Sequence, residues 1–262
     1  MTRQRLGQHF LADAGWRARI LQHLGVAPGQ VWLEIGAGHG EMTRELARAG
    51  ARVVAIELDA RLVERLRAAA AEWPGVEVVA GDVLALDLED LLPAGRWRAY
   101  GNLPYYITSP ILRRLFEHAD RLDSIHVVVQ WEVAARLAAR PGRRDYGYLS
   151  ALAQFHARPE IALRIPPGAF RPRPKVTSAL VSLRLPGERA ALGLADEQAF
   201  LEFVQACFAQ KRKTLRNNLR GRSGDGQRVQ EALRALGLRG DARAEQLTLA
   251  QFAGLYRALS TP

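Results

Sequence analysis

The sequence predicts an α/β domain built on an open, mostly parallel sheet, followed by a smaller helical domain. From Val31 to Gln130, short apolar runs alternate with stretches of helical period. Four successive runs end in a Gly-rich turn, a Glu, an Asp and an Asn. In open α/β sheets ligands sit at the carboxyl ends of the strands, so chemistry-bearing residues are placed there. Beyond Pro186-Gly187 only helical patterning remains.

The first run, Val31 to Ile35, leads into Gly36-Ala37-Gly38-His39-Gly40, and Glu41 to Ala49 follows as a helix closed by Gly50. Glycines in such a turn let the backbone approach a ligand and leave the helix N-terminal N–H groups open. Their spacing is G-x-G-x-G, whereas the dinucleotide fingerprint is G-x-G-x-x-G, which argues against nicotinamide. Arg52 to Ile56 ends at Glu57, whose carboxylate suits two ribose hydroxyls. Val76 to Ala80 ends at Gly81-Asp82, whose carboxylate suits an adenine amino group. A fourth strand, Trp97 to Gly101, delivers Asn102. Ser109-Pro110 reads as an N-cap and first-turn pair for a helix over Ile111 to Glu117. The strand Ser124 to Gln130, a helix Trp131 to Arg140, a basic loop Pro141 to Gly147 and a helix Tyr148 to His156 come next. Strands near Glu160 to Ile165 and Ser178 to Leu185 close the sheet as a hairpin, leaving an antiparallel strand in a mostly parallel sheet. Helices are expected over Glu197 to Ala209, Val229 to Leu236 and Leu249 to Leu259, the last opened by Thr248 with Gln251 in capping-box spacing. The domains divide as 1–185 and 186–262.

Asn102-Leu103-Pro104-Tyr105 combines the groups needed to methylate an exocyclic amine. The Asn side-chain oxygen and a backbone carbonyl at Leu103 or Pro104 can accept both hydrogens of an NH2 group, localising a lone pair otherwise delocalised into the ring. Tyr105 can stack on the base. The sequence holds three Asn residues, Asn102, Asn217 and Asn218, so this one is not background.

Together with Leu6-Gly7-Gln8-His9-Phe10-Leu11, Phe170-Arg171-Pro172-Arg173-Pro174-Lys175-Val176-Thr177-Ser178-Ala179 and Gln210 to Leu219, the tetrad resembles the KsgA-type ribosomal RNA adenine dimethyltransferases from about residue 3 to the end. The resemblance implies a Rossmann-like class I methyltransferase domain that uses S-adenosylmethionine. It implies transfer of methyl groups to N6 of two adjacent adenosines in a hairpin near the 3′ end of small-subunit rRNA. By position, His9, Leu11, Gly36, Gly38, Gly40, Glu57, Asp82 and Asn102 match cofactor contacts. Asn102, Leu103, Pro104, Tyr105 and Phe170 match the catalytic site, with Phe170 stacking on the flipped base opposite Tyr105. His9 stands where Asn is common in the family, and Tyr106 where Asn is frequent.

Composition agrees. With 262 residues and 48% hydrophobic content, the chain can bury a substantial core. The single cysteine, Cys207, excludes an internal disulfide or a Cys-cluster zinc site, and reads as a buried small hydrophobe. The histidines show no metal-ligand spacing, so no metal is expected. Met1 to Ile20 holds four arginines and no apolar core, so neither signal peptide nor membrane span is expected, and the compartment is expected to be cytoplasmic. The net charge is +10, and its distribution is uneven. Residues 134–262 carry 22 Lys+Arg and 10 Asp+Glu, while residues 1–133 carry 15 and 17. Such a basic half attracts a phosphate backbone through counterion release. The expected RNA contacts are Arg143, Arg144, Arg171, Arg173, Lys175, Lys211, Arg212, Lys213 and Arg216, the last four within a basic, helix-like segment. The expected partner is small-subunit rRNA in an immature particle, met by a monomer. An Erm-type large-subunit methylase and a mainly non-catalytic assembly factor are the alternatives. A DNA adenine methylase usually carries Asp-Pro-Pro-Tyr instead.

Overall fold

Apolar runs bounded by Gly, Asp and Pro become strands, and the amphipathic stretches between them become the covering helices. The computed structural model describes residues 9–104, 107–220 and 226–260. In chain order, the first elements are β1 (Phe10–Leu11), α1 (Ala14–Leu24), β2 (Val31–Ile35), α2 (Glu41–Arg48), β3 (Arg52–Glu57), α3 (Ala60–Ala70), β4 (Val76–Ala80) and α4 (Leu88–Leu91). Next come β5 (Trp97–Asn102), α5 (Thr108–Phe116), β6 (Leu122–Gln130), α6 (Trp131–Leu137), α7 (Tyr148–His156), β7 (Arg158–Ile165), β8 (Phe170–Arg171) and β9 (Ser178–Arg184). Five helices follow: α8 (Arg189–Leu192), α9 (Glu197–Cys207), α10 (Leu215–Asn218), α11 (Gly226–Ala235) and α12 (Leu249–Ser260).

Seven strands form one sheet in the order β4-β3-β2-β5-β6-β9-β7, and β1 pairs with β8 apart from it. β2 to β6 run parallel, and β9 is antiparallel to β6 from Ser124↔Arg184 to Gln130↔Ser178. The expected antiparallel closure is present, with β9 inserted between β6 and β7. The inner strands are buried on both faces: Val53, Val54 and Ala55 are fully inaccessible, as the continuous apolar run of a parallel strand requires.

Local chemistry sets the helix ends. Asp13 and Asp59 accept from Trp16 N and Arg61 N, capping α1 and α3, two helices not anticipated from the apolar pattern. α12 opens on the anticipated capping box, with reciprocal bonds between Thr248 and Gln251. α5 starts earlier than predicted. A turn in which Ile107 N–H donates to the Pro104 carbonyl (3.2 Å) launches it, so Ser109 and Pro110 lie inside its first turn, where Pro lacks a needed donor anyway. α6 ends at Leu137 rather than Arg140, and the chain leaves in single turns around Arg140–Arg143.

The chain separates into two compact units, Met1–Ala134 with Pro159–Leu185, and Ala135–Arg158 with Pro186–Pro262. The expected boundary at Pro186 is therefore half of the division. α7 belongs to the helical unit, because Tyr146, Ala151 and Phe155 pack in one core with Phe200, Val204, Leu233 and Phe252. Cys207 is fully buried in that core, as a small hydrophobe on α9.

Gly40 caps α2 with φ +84°, and a Cβ there meets the Leu66 side chain and, at 3.1 Å, the Trp73 ring. Gly40→Ala is expected to lower unfolding free energy by about 1–3 kcal/mol through backbone strain and overpacking. Denaturant melts of the two proteins check this.

Candidate active site

β2 is flanked by β3 on one side and β5 on the other, so the chain leaves neighbouring strands in opposite directions and a crevice opens at their carboxyl ends. The Gly-rich loop after β2 forms one wall. Gly36, Gly38 and Gly40 all have positive φ, and a Cβ on Gly38 lies 2.9 Å from the Phe10 ring, so that close approach admits only glycine. Gly36 N–H donates to Ile56 O (2.9 Å), and Gly38 N–H to Glu57 Oε2 (2.8 Å). Glu57 is buried. Its Oε1 accepts from the N–H groups of Leu58 and Asp59, each at 2.9 Å. With Oε1 occupied twice, Oε2 retains about one lone-pair site for a further donor.

β5 supplies the opposite wall. Asn102 Nδ2 donates to the His9 carbonyl (2.7 Å), which fixes the amide and turns Oδ1 into its accepting face. His9 Nδ1–H donates to the Pro172 carbonyl (2.7 Å), and β1 pairs with β8 through Phe10↔Arg171 and Leu11↔Phe170. Pro104 places its carbonyl in the turn with Ile107, whereas Leu103 is anchored through its N–H to Val128 O (3.1 Å). Tyr105, and Tyr106 after it, lie outside the described residues.

Between the walls lies a small cleft. Of the residues expected to contact the cofactor, Leu11, Gly36 and Asn102 line it; His9, Gly38, Gly40, Glu57 and Asp82 do not. Among the other lining residues, the polar Glu34, Glu41 and Tyr100 were not singled out from sequence. Glu34 is the one charged residue in the run Val31–Ile35, and that was the available signal. It is buried, faces Tyr100 across the β2–β5 register, and its Oε2 has no hydrogen-bond partner. Burial, with Glu41 and Glu57 adding like charge, raises its pKa to about 8, although the Thr43 hydroxyl works against this. Burial also pushes up the Tyr100 phenol, with Glu34 contributing.

At the outer strand ends, Asp82 is exposed and its Oδ1 accepts from Leu84 N (3.0 Å). Leu58 and Leu84, directly after Glu57 and near Asp82, are 55% and 38% exposed. Neither was singled out from the sequence.

Phe170 is a correction. It is 1% exposed and packed in one cluster with Leu11, Ile20, Tyr100 and Leu180, so the ring is core rather than a stacking surface. Its side chain is turned inward by pairing with Leu11, a contact between segments far apart in sequence.

The expected RNA contacts are divided between the units. Arg171, Arg173 and Lys175 are exposed on the loop after β8 in the sheet unit, although Arg171 folds back onto the Gly168 and Phe170 carbonyls. In the helical unit, Arg143, Arg144, Lys211, Arg212, Lys213 and Arg216 are exposed, and Lys211 Nζ donates to the Arg144 carbonyl. Residues 211–213 form turns, and the helix after them is only Leu215–Asn218, because Thr214 caps a new start there. The expected helix-like basic segment is thus mostly a loop. Among the described residues there is no cluster of side chains able to hold a metal ion, and no helix is long and apolar enough to cross a membrane.

The family model described as ribosomal RNA adenine dimethylase matches residues 1–261. The chain belongs to this family. It is 42% identical to "Ribosomal RNA small subunit methyltransferase A" of Koribacter versatilis, over 97% of this chain and 93% of that protein. It is also 42% identical to the protein of that name from Geobacter metallireducens, over 98% and 95%. Among solved structures, a dimethyladenosine transferase from Plasmodium falciparum superposes with TM-score 0.80 at 23% identity, covering 94% of this chain and 96% of that one, a likeness of fold. The 23S rRNA methyltransferase ErmE gives TM-score 0.71 at 29% identity, covering 96% and 100%. The match to the ribosomal RNA adenine dimethylase family thus runs along nearly the whole chain.

Two outcomes follow from the burial of Phe170 and Glu34. Phe170→Ala is expected to cost about 3–5 kcal/mol of stability, while Phe170→Leu, which keeps the core apolar, retains most turnover. Unfolding curves and methyl-transfer rates together distinguish core from stacking. Glu34 has a native pKa above its unfolded value, so the native state keeps a proton that the unfolded chain has lost. Stability is full below about pH 4.5 and falls as pH rises to about 8. In thermal melts Glu34→Gln is expected to flatten that decline.

Proposed function

We propose that the chain transfers methyl groups from S-adenosylmethionine to N6 of two adjacent adenosines in a hairpin near the 3′ end of small-subunit rRNA. The observation that carries this reading is the Asn102 amide, held by the His9 carbonyl at the mouth of the crevice with its oxygen presented as acceptor. The relatives named small-subunit methyltransferases support the choice of particle.

The donor set suits S-adenosylmethionine. The partnerless Glu34 Oε2 in the cleft offers a hydrogen-bond partner to a polar group of the ligand, and the open site on Glu57 Oε2 accepts a ribose hydroxyl. Leu58 and Leu84 offer apolar contact to an adenine, with Asp82 accepting from its amino group. Gly36 brings backbone close to the same ligand, and Leu11 closes the cleft wall. When bound, the cofactor supplies an electrophilic methyl group on a sulfonium.

On the acceptor side, Asn102 Oδ1 and the Leu103 carbonyl accept the two amine hydrogens, and Tyr105 stacks on the base. The Pro104 carbonyl already accepts from Ile107 N–H, which favours Leu103 for this role. Holding the amine this way turns its lone pair outward, and positioning supplies most of the rate. An attack on a cationic donor needs no strong base. Exposed Arg143, Arg144, Arg173, Lys175, Arg212 and Lys213 supply phosphate contacts to rRNA in an immature subunit. We assign the protein to the cytoplasm, acting as a monomer.

The test is methyl transfer from labelled S-adenosylmethionine to under-methylated small subunits, large subunits and duplex DNA. Dimethyladenosine on small subunits alone is the expected result; label on large subunits moves the protein to the Erm-type activity that its likeness to ErmE allows. Asn102→Ala is expected to lower turnover about a hundredfold or more with cofactor affinity within a few-fold. Glu57→Ala weakens cofactor binding about tenfold or more, read by calorimetry.

A further inference from the structure

Four large apolar side chains stand exposed among the described residues: Leu58, Leu84, Trp131 and Val176. The cofactor site uses the first two. Trp131 is 39% exposed at the end of β6, and its N–H donates to the Thr177 carbonyl (2.9 Å), which sets it beside the loop that carries Arg171, Arg173, Lys175 and Val176. All four of those loop side chains are exposed. The Arg164 guanidinium lies over the indole, 4.8 Å from the ring centroid, and it is exposed as well.

We infer that Trp131, with Arg164 stacked on it, is a second nucleobase-binding site, taking a base of the loop that holds the target adenosine. The inference rests on RNA as the substrate.

The position fits that occupant. β5 and β6 run parallel with Asn102 opposite Val128, so Trp131 lies three residues further along, about 10 Å beyond the level of Asn102. At about 3.4 Å per stacked nucleotide that distance is about three steps, so a base of the same loop reaches it. The chemistry fits as well. An aromatic face accepts any base, and Arg164 fixes the indole from one side, so little side-chain freedom is lost on binding. Arg164 lies over the ring, and exposed Arg173 and Lys175 belong to the segment that the Thr177 bond sets beside it, against Glu132 as the acid next to it in sequence. Such a surround favours a phosphate backbone over an apolar protein segment.

The test uses the full-length chain on under-methylated small subunits, reconstituted with either intact rRNA or rRNA carrying one abasic nucleotide in the loop of the target pair. Trp131→Ala is expected to raise KM about tenfold, the loss of one base–aromatic stack, with kcat, cofactor affinity and the melting temperature unchanged. Trp131→Phe stays within about twofold, because a ring remains. At one loop position the abasic substitution raises the wild-type KM by the same factor and leaves Trp131→Ala unaffected. An unchanged KM for Trp131→Ala overturns the site. So does a loss that adds to the abasic effect at every position, which assigns the contact to a ribosomal protein instead. If the wild-type chain methylates no rRNA at all, the substrate reading fails first and takes this site with it, a result separable from the others.

Discussion

The parting of the chain at the carboxyl ends of β2 and β5 is the constraint on which the rest depends. Because β2 connects toward β3 while β5 lies on its other side, the chain parts here and a crevice is left at their ends. A gap of that kind is stable only if its walls are held from outside it. Glu57 does this for the glycine loop: one buried carboxylate accepts from Gly38, Leu58 and Asp59 and so ties two strand ends together. A carboxylate that receives several backbone N–H bonds is well satisfied in a buried place, and the loop it holds cannot collapse into the crevice.

The cleft is more polar inside than its apolar strands suggest. Glu34 and Tyr100 face each other across β2 and β5, both buried, each with an oxygen lacking a partner. Unsatisfied buried oxygens cost stability, so their retention on the wall of a ligand cleft points to a partner that arrives with the ligand. Fully inaccessible neighbours such as Trp32, Leu33 and Val53 supply the apolar burial against which that cost is set. The site is therefore least stable in its empty form, which suits a pocket that must accept and release a charged molecule in each cycle.

What was legible in the sequence was local and ordered along the chain. The glycine turn, Glu57, Asp82 and Asn102 could be placed because each follows its own strand directly, and strand ends in an open sheet share one edge. What was not legible depends on partners far away. The inward turn of Phe170 comes from pairing with Leu11. The membership of α7 in the helical unit comes from Phe155 meeting Phe200, outside any local window. Glu34 was hidden by its surroundings, since a single acid in an apolar strand reads as an exception until the cleft beside it is seen.

The tether at the N-terminal side divides the work of His9 between its backbone and its ring. The group that orients Asn102 is the carbonyl of residue 9, which every side chain provides. The imidazole does separate work: its Nδ1–H holds the Pro172 carbonyl, so the segment Phe10–Leu11 and the loop after Phe170 are fixed to each other next to β5. A side chain able to donate one hydrogen bond at that reach is all that this second contact demands. Substitution at residue 9 is thereby confined to a tether, and the acceptor geometry at Asn102 is kept by the backbone.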